Sequence, residues 1–342
     1  IRPRDWSSDV CSSDLDQVLE FFKITPDYDL KLMKPNQTLF DVTADALRGM
    51  EKILDEVKPD LIIVQGDTTS VLAGALAGYY KKIKVAHLEA GLRSGDKYSP
   101  FPEEINRVLT GHIADYHWAP TEGSRQNLLK EGIKDENIYV VKNTVIDALF
   151  LALELLKEEG DSKYEEFFKE IDFSKKVVLV TAHRRESFGQ PFEDVCNSIK
   201  ELSSKYPDVE FVYPVHLNPN VREVVYRILD GIKNIYLIEP LDYPYLVWLM
   251  NKSYFVMTDS GGIQEEAPSL GKPVLVLRDV TERQEGVDAG TAMLVGTDKE
   301  LIVEEASRLF DDNKAYEKMA KSINPYGDGK ASERIVELLK KS

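Results

Sequence analysis

Cysteine, histidine and long apolar runs are all scarce in this chain, and each scarcity closes off a class of function. Two cysteines, Cys11 and Cys196, in 342 residues are too few for a disulfide framework, so the expected location is a reducing cytoplasm. They form no paired-cysteine motif, and the five histidines lie too far apart in sequence for a metal-ligand spacing. Neither a metal nor a cofactor is expected. No apolar run reaches the roughly 20 residues of a membrane span, and no signal peptide is visible. Positive charge is in deficit: 43 Lys and Arg against 59 Asp and Glu leave a net charge of −16. That balance argues against a nucleic-acid partner, because phosphate backbones need clustered cations. It is compatible with a small anionic ligand held in a local Arg/His cleft.

What is there is an alternation of helix and strand patterns, at a length that fits two domains. Residues 1–15 stand apart, with four serines, three aspartates and no periodicity. Arg2 to Val10 resembles translated sequencing-adapter sequence, so the segment reads as foreign; a disordered native tail is the alternative. After an amphipathic stretch at Val18–Phe22, a long helix is expected over Thr38–Val57, broken by Lys58-Pro59. Leu61-Ile62-Ile63-Val64 follows as a short apolar run, the pattern of a parallel strand buried on both faces. Further strands are expected at Lys84–His87, Tyr116–Ala119 and Ile138–Val141. The Glu-, Lys- and Phe-rich stretch 151–176 reads as a helical connection. A second cycle opens at Val177–Val180 and continues through Glu210–Pro214, Ile235–Ile238, Tyr254–Thr258, Pro273–Leu277 and Ala292–Val295. Repeated β-α-β units imply an α/β protein with two doubly wound Rossmann-like domains. The carboxyl ends of their strands are expected to face one cleft, where open α/β sheets bind ligands.

The unusual residues fall just after strands. Asp67 in Gly66-Asp67-Thr68-Thr69 follows the first strand, and Glu89 follows the second. Glu103 and Glu104 open a helix. A helix cap would explain Asp67 or Thr68, and helix-dipole complementarity one of the two glutamates. Taken together, Asp67, Glu89 and Glu103 place three carboxylates at one sheet edge, an arrangement suited to proton transfer. In the second half, His183, Arg184 and Arg185 follow a strand as an anion site, with a surface charge run as the alternative, and His216 follows the next strand, where a packed loop residue is the plainer reading. Asp259-Ser260-Gly261-Gly262 is the strongest signal. A serine and two glycines at a strand-to-helix turn let backbone N–H groups approach phosphate oxygens. Glu265 and Glu266, one turn in, could accept from ribose hydroxyls, while Arg278 and Arg283 add charge.

These motifs, in this order, closely resemble the non-hydrolysing UDP-N-acetylglucosamine 2-epimerases from Asp16 to the C-terminus. His87–Arg93, Tyr98–Arg107, His183–Glu186 and Asp259–Glu266 carry the resemblance with Gly66–Thr69. It implies a glycosyltransferase-B-like fold and a homodimer. It also implies interconversion of UDP-N-acetylglucosamine and UDP-N-acetylmannosamine for surface polysaccharide synthesis. Asp67, Glu89, Glu103 and His183 match the family's catalytic positions. Ser260, Gly261, Gly262, Glu266 and Arg283 match its UDP-binding positions. Arg184 and His216 match positions that contact a second, activating UDP-N-acetylglucosamine in regulated members. The domains expected are then an incomplete N-terminal one at 16–150, the connection at 151–176 and a UDP-binding one at 177–323. A terminal segment, 324–342, returns its helix to the first domain.

There are departures. The family's first strand, with its Gly-Thr-Arg-Pro-Glu loop and Gln-His-Arg segment, is absent, and residues 1–15 stand in its place. Low activity of the chain as it stands is the consequence expected. Asn36 occupies a place where regulated members have arginine, and Lys142 replaces a usual glycine. The alternatives are a UDP-sugar glycosyltransferase of the same fold and a UDP-sugar sensor without turnover.

Overall fold

A computed structural model describes residues 15–34, 37–98, 100–184 and 187–340. The expectations for residues 1–14, Asn36, Ser99, Arg185 and Glu186 lie outside the described residues. The chain forms two compact units, one running to Thr144 and resuming at Lys330, the other Val145–Gly329.

The first unit opens with helices α1 (15–21) and α2 (Leu39–Val57). Thr38 starts α2 as a capping box: its hydroxyl accepts from the Asp41 N–H while the Asp41 carboxylate accepts from the Thr38 N–H. There follow β1 (Leu61–Gln65), α3 (Thr69–Lys81), β2 (Lys84–Leu88), α4 (Glu103–Ile113), β3 (Tyr116–Ala119), α5 (Glu122–Lys130) and β4 (Ile138–Val140). The strands form a parallel sheet in the order β1-β2-β3-β4. One expectation fails here. Of the β1 side chains only Val64 is buried, and Ile63 is 50% exposed. Leu61, Ile63 and Gln65 share the more open face of the strand, so its apolar run is not enclosed on both faces.

The second unit comprises α6 (Thr144–Glu159), α7 (Ser162–Phe167), β5 (Lys176–Thr181), α8 (Gln190–Lys205), β6 (Val209–Pro214), α9 (Pro219–Leu229) and β7 (Ile235–Ile238). It continues with α10 (Tyr243–Lys252), β8 (Phe255–Thr258), α11 (Gly261–Ser269), β9 (Val274–Val276), α12 (Gln284–Asp288), β10 (Ala292–Leu294), α13 (Lys299–Asp311) and α14 (Asn313–Ala320). Its six strands run parallel in the order β10-β9-β8-β5-β6-β7. The chain enters at β5, winds outward to β7, then returns to β8 on the other side and winds outward to β10. The order therefore reverses between β5 and β8, the kind of place where open α/β sheets hold ligands. The core gathers Val178, Val180, Phe211, Phe255, Met257 and Leu275 with helix residues such as Ile199 and Leu309.

The 151–176 stretch belongs to this unit's packing. Tyr164 is fully buried, and Phe168 stacks on Trp248 of α10 with ring centroids 5.4 Å apart. The Trp248 indole N–H donates to Asp161 at 2.9 Å. The last helix, α15 (Ala331–Leu339), completes the first unit: Ile335 is buried with Ala86, Leu88, Trp118 and Val141.

Lys142 has φ +75, a left-handed conformation that explains why glycine suits this place. An L side chain there costs roughly 1 kcal/mol or more, partly offset by the greater entropy glycine loses on folding. Lys142→Gly is therefore expected to raise unfolding free energy by about 0.5 kcal/mol. Urea denaturation would show it, and a loss of stability would contradict the strain.

Candidate active site

In the first unit, parallel pairing of β1 with β2 aligns Gln65 with Leu88. Asp67 and Glu89 therefore leave the sheet at the same edge. Gly66 turns the chain with φ +83, and its N–H donates to the Leu88 carbonyl at 3.1 Å. His87 holds the next peptide: its Nε2 lies 2.7 Å from the Gly66 carbonyl oxygen. The ring is completely buried, its Nδ1 makes no hydrogen bond, and burial pushes its pKa down to about 4.

The helix-cap explanation does not account for Asp67. Thr68 stands at the N-cap of α3 without a side-chain cap bond, and the Asp67 carboxylate goes elsewhere. It accepts from Arg107 Nη2 at 2.6 Å and Nε at 3.0 Å. Asn106 donates to the Asp67 carbonyl at 2.9 Å. The third Arg107 nitrogen, Nη1, donates to Glu104 at 3.0 Å. Glu104 in turn accepts the backbone N–H groups of Ser94 and Gly95, the latter at 2.9 Å. The adjacent glutamates thus have different tasks. Glu104 is buried and braces the 94–95 loop, whereas Glu103 is half-buried in the first turn of α4. Glu89 has φ +65 and accepts a hydrogen bond from Gln65 at 2.9 Å. Asp67, Glu89 and Glu103 are all half-buried, wet enough to exchange protons and dry enough for position to matter.

In the second unit, Thr181 pairs with Thr258 across β5 and β8, and their hydroxyls are 2.6 Å apart. His183 and Asp259 follow directly. Asp259 Oδ2 accepts the N–H of His183 at 2.6 Å and of Arg184 at 2.7 Å. The His183 ring stacks on His216, 4.9 Å away and 6° from parallel. Ser260 is the N-cap of α11, with Gly261 and Gly262 as its first two residues. First-turn amides point out of a helix, and the positive end of its dipole favours an anion there. Gly261 is needed for a close approach: a Cβ would sit 2.9 Å from Cζ of Arg283. Arg283 donates to Glu265 at 2.9 Å and to Glu282 at 2.5 Å, and Arg278 donates to Glu282 at 2.9 Å. Burial opposes ionisation of Glu282, but Arg283 and Arg278 outweigh it and hold its carboxyl down at about 2. Glu266 is the opposite case. Burial raises it to about 7, although the Tyr243 hydroxyl donates to it at 3.0 Å.

Gln65, His87, Arg107, Tyr243, Asp259 and Glu282 were given no role by sequence reasoning. His87, Arg107 and Asp259 lie inside quoted motifs, which is the signal that could have found them. The first unit thus presents half-buried carboxylates at one parallel-sheet edge, and the second a glycine turn with arginines beside a topological switch point.

The family model described as UDP-N-acetylglucosamine 2-epimerase matches residues 11–340. The chain belongs to that family. The UDP-N-acetylglucosamine 2-epimerase of Escherichia coli K12 is 55% identical over 328 residues, 95% of this chain and 87% of that protein. The crystal structure of the Neisseria meningitidis UDP-GlcNAc 2-epimerase bound to UDP-GlcNAc has a TM-score of 0.92 at 50% identity. It covers 96% of this chain and 89% of its own. The Methanocaldococcus jannaschii enzyme in complex with UDP-GlcNAc and UDP has a TM-score of 0.81 at 37% identity, covering 96% and 88%.

The buried His87 sets a pH window for stability. Its folded pKa of about 4 lies below the ordinary 6.5, so the unfolded chain takes up the proton first. Its contribution is complete above pH 6.5 and declines as pH falls toward 4, by up to about 3 kcal/mol. Denaturation of wild type and His87→Gln across that range should show the wild type losing more; parallel losses would count against it.

Proposed function

We propose that this chain interconverts UDP-N-acetylglucosamine and UDP-N-acetylmannosamine by elimination and re-addition of UDP. Carbon 2 of the sugar has no adjacent carbonyl, so removing its proton alone is very unfavourable. The route we infer breaks the bond from carbon 1 to the diphosphate oxygen as a base takes the carbon 2 proton. The products are UDP and an enol-ether glycal. UDP then adds back at carbon 1 while a proton arrives on the opposite face of carbon 2, so atoms and charge balance without a redox partner.

The observation that carries this reading is the pairing of two residue sets on one chain. Asp67, Glu89 and Glu103, with His183, serve as the proton-handling groups. Ser260, Gly261, Gly262 and Arg283 hold the diphosphate as it leaves and returns, and Glu266 takes the ribose hydroxyls. Arg107 keeps Asp67 in place at 2.6 Å, so that carboxylate does not swing with each proton transfer. Arg184 and His216 are assigned to a second UDP-N-acetylglucosamine that acts as an activator. The working assembly is a homodimer in the cytoplasm, and its product feeds surface polysaccharide synthesis. Among the described residues no helix is long and apolar enough to cross a membrane.

In deuterated water, prolonged incubation with UDP-N-acetylglucosamine should place deuterium at sugar carbon 2 and yield UDP-N-acetylmannosamine, both visible by proton NMR. Sugar transfer to an acceptor with carbon 2 unlabelled would indicate a transferase, and tight binding without any exchange a sensor. Glu103→Gln should lower kcat about 10²- to 10⁴-fold while leaving UDP affinity nearly unchanged. Gly261→Ala should do the reverse: its Cβ displaces the Arg283 guanidinium, and UDP affinity measured by calorimetry falls about tenfold or more.

A further inference from the structure

The crossing between β5 and β8 carries a carboxylate that neither the proton-handling set nor the diphosphate-binding set includes. Asp259 is 1% exposed. Its Oδ2 accepts two short backbone hydrogen bonds, from His183 at 2.6 Å and Arg184 at 2.7 Å. Its Oδ1 is buried, makes no hydrogen bond, and lies 3.5 Å from Nδ1 of the His183 ring. A carboxylate so far from water is costly unless each oxygen is compensated. Oδ2 is compensated twice over; Oδ1 has the imidazole 3.5 Å away.

The ring stacked on His183 is committed the other way. His216 Nδ1 accepts the N–H of Asn218 at 3.0 Å, which leaves its ring proton on Nε2. The two parallel imidazoles therefore have unlike surroundings. One faces a carboxylate through Nδ1, and the other faces a backbone donor through Nδ1.

We propose that Asp259 is a positioning residue, which fixes the backbone at His183 and holds its imidazole as the Nδ1–H tautomer. Nε2 is then the atom of His183 that accepts and returns a proton. This rests on the reading of His183 as a proton-handling group. The mechanism is electrostatic: a lone pair on Nδ1 would face a carboxylate oxygen, whereas an N–H there is attracted to it. When Nε2 is protonated, the same carboxylate faces the imidazolium. The backbone bonds keep the group from turning away, because rotating Oδ2 out would give up two short hydrogen bonds from part-buried N–H donors.

The test uses the full chain labelled with nitrogen-15 histidine, with long-range proton–nitrogen spectra recorded at about pH 8.5, where an ordinary imidazole is neutral. His183 is assigned by its loss in His183→Asn. The wild type should show His183 as Nδ1–H, and Asp259→Asn should reverse it to Nε2–H, since the variant's amide donates where the carboxylate accepted. With the reversal, kcat should fall about 10- to 100-fold while KM stays within about threefold. An Nε2–H tautomer in the wild type, or the same tautomer in both proteins, overturns the proposal. Reversal with undiminished kcat in both Asp259→Asn and His183→Asn keeps the tautomer assignment and overturns the reading of His183 beneath it. If Asp259→Asn does not fold, the wild-type tautomer decides alone.

Discussion

Parallel pairing is the constraint on which the rest depends. A parallel strand must end on the same side as its neighbours, so every residue that follows a strand is delivered to one edge. In the first unit that rule brings Asp67 and Glu89 out together, two residues past Gln65 and one past Leu88. In the second it brings His183 and Asp259 out together, past a Thr181–Thr258 pair. The reversal of strand order between β5 and β8 adds a gap there, because the connections on either side lead away in opposite directions. Chemistry collects at these edges because the backbone has nowhere else to send those residues.

Both units meet the same electrostatic difficulty with the same device. Carboxylates near a sheet edge lose water and repel one another, and a guanidinium between them relieves both costs. Arg107 joins Asp67 to Glu104, and Arg283 joins Glu265 to Glu282. The fork geometry matters: Arg107 uses Nε and Nη2 on one acid and Nη1 on another, which a lysine could not do. Pairing also divides the acids by function. Glu104 and Glu282 sit in buried ion pairs as scaffolding. Glu266, by contrast, has a tyrosine hydroxyl for its partner, and burial keeps its proton affinity high.

Much of this was legible from the residues in order. Short apolar runs marked the strands to within a residue or two, and the clusters after them marked the candidate site. Rotation about a helix was not legible. Glu103 and Glu104 differ by one residue, about 100° on an α-helix, and only the packing of α4 shows which one points inward. Partners distant in sequence were equally hidden: Arg107 is 40 residues from Asp67, and His183 is 76 from Asp259. The 151–176 stretch read as a connection because its aromatic residues have no strand periodicity. Its Tyr164 and Phe168 were in fact one half of a cluster whose other half, Tyr245 and Trp248, lies in α10.

Backbone strain marks the same places by an independent route. Glu89 is held at φ +65, between Leu88, whose carbonyl accepts the Gly66 N–H, and Gly91. Gly91 cannot be replaced, because a Cβ there would meet the Ser124 carbonyl oxygen at 2.2 Å. A glutamate has no conformational reason to occupy the left-handed region, so the surrounding structure must impose it. The imposing elements are identifiable: β2 anchors one side, and the close approach to α5 fixes the other. A carboxylate on such a segment has little freedom to retreat into solvent. The placement of such a residue is fixed when the chain folds.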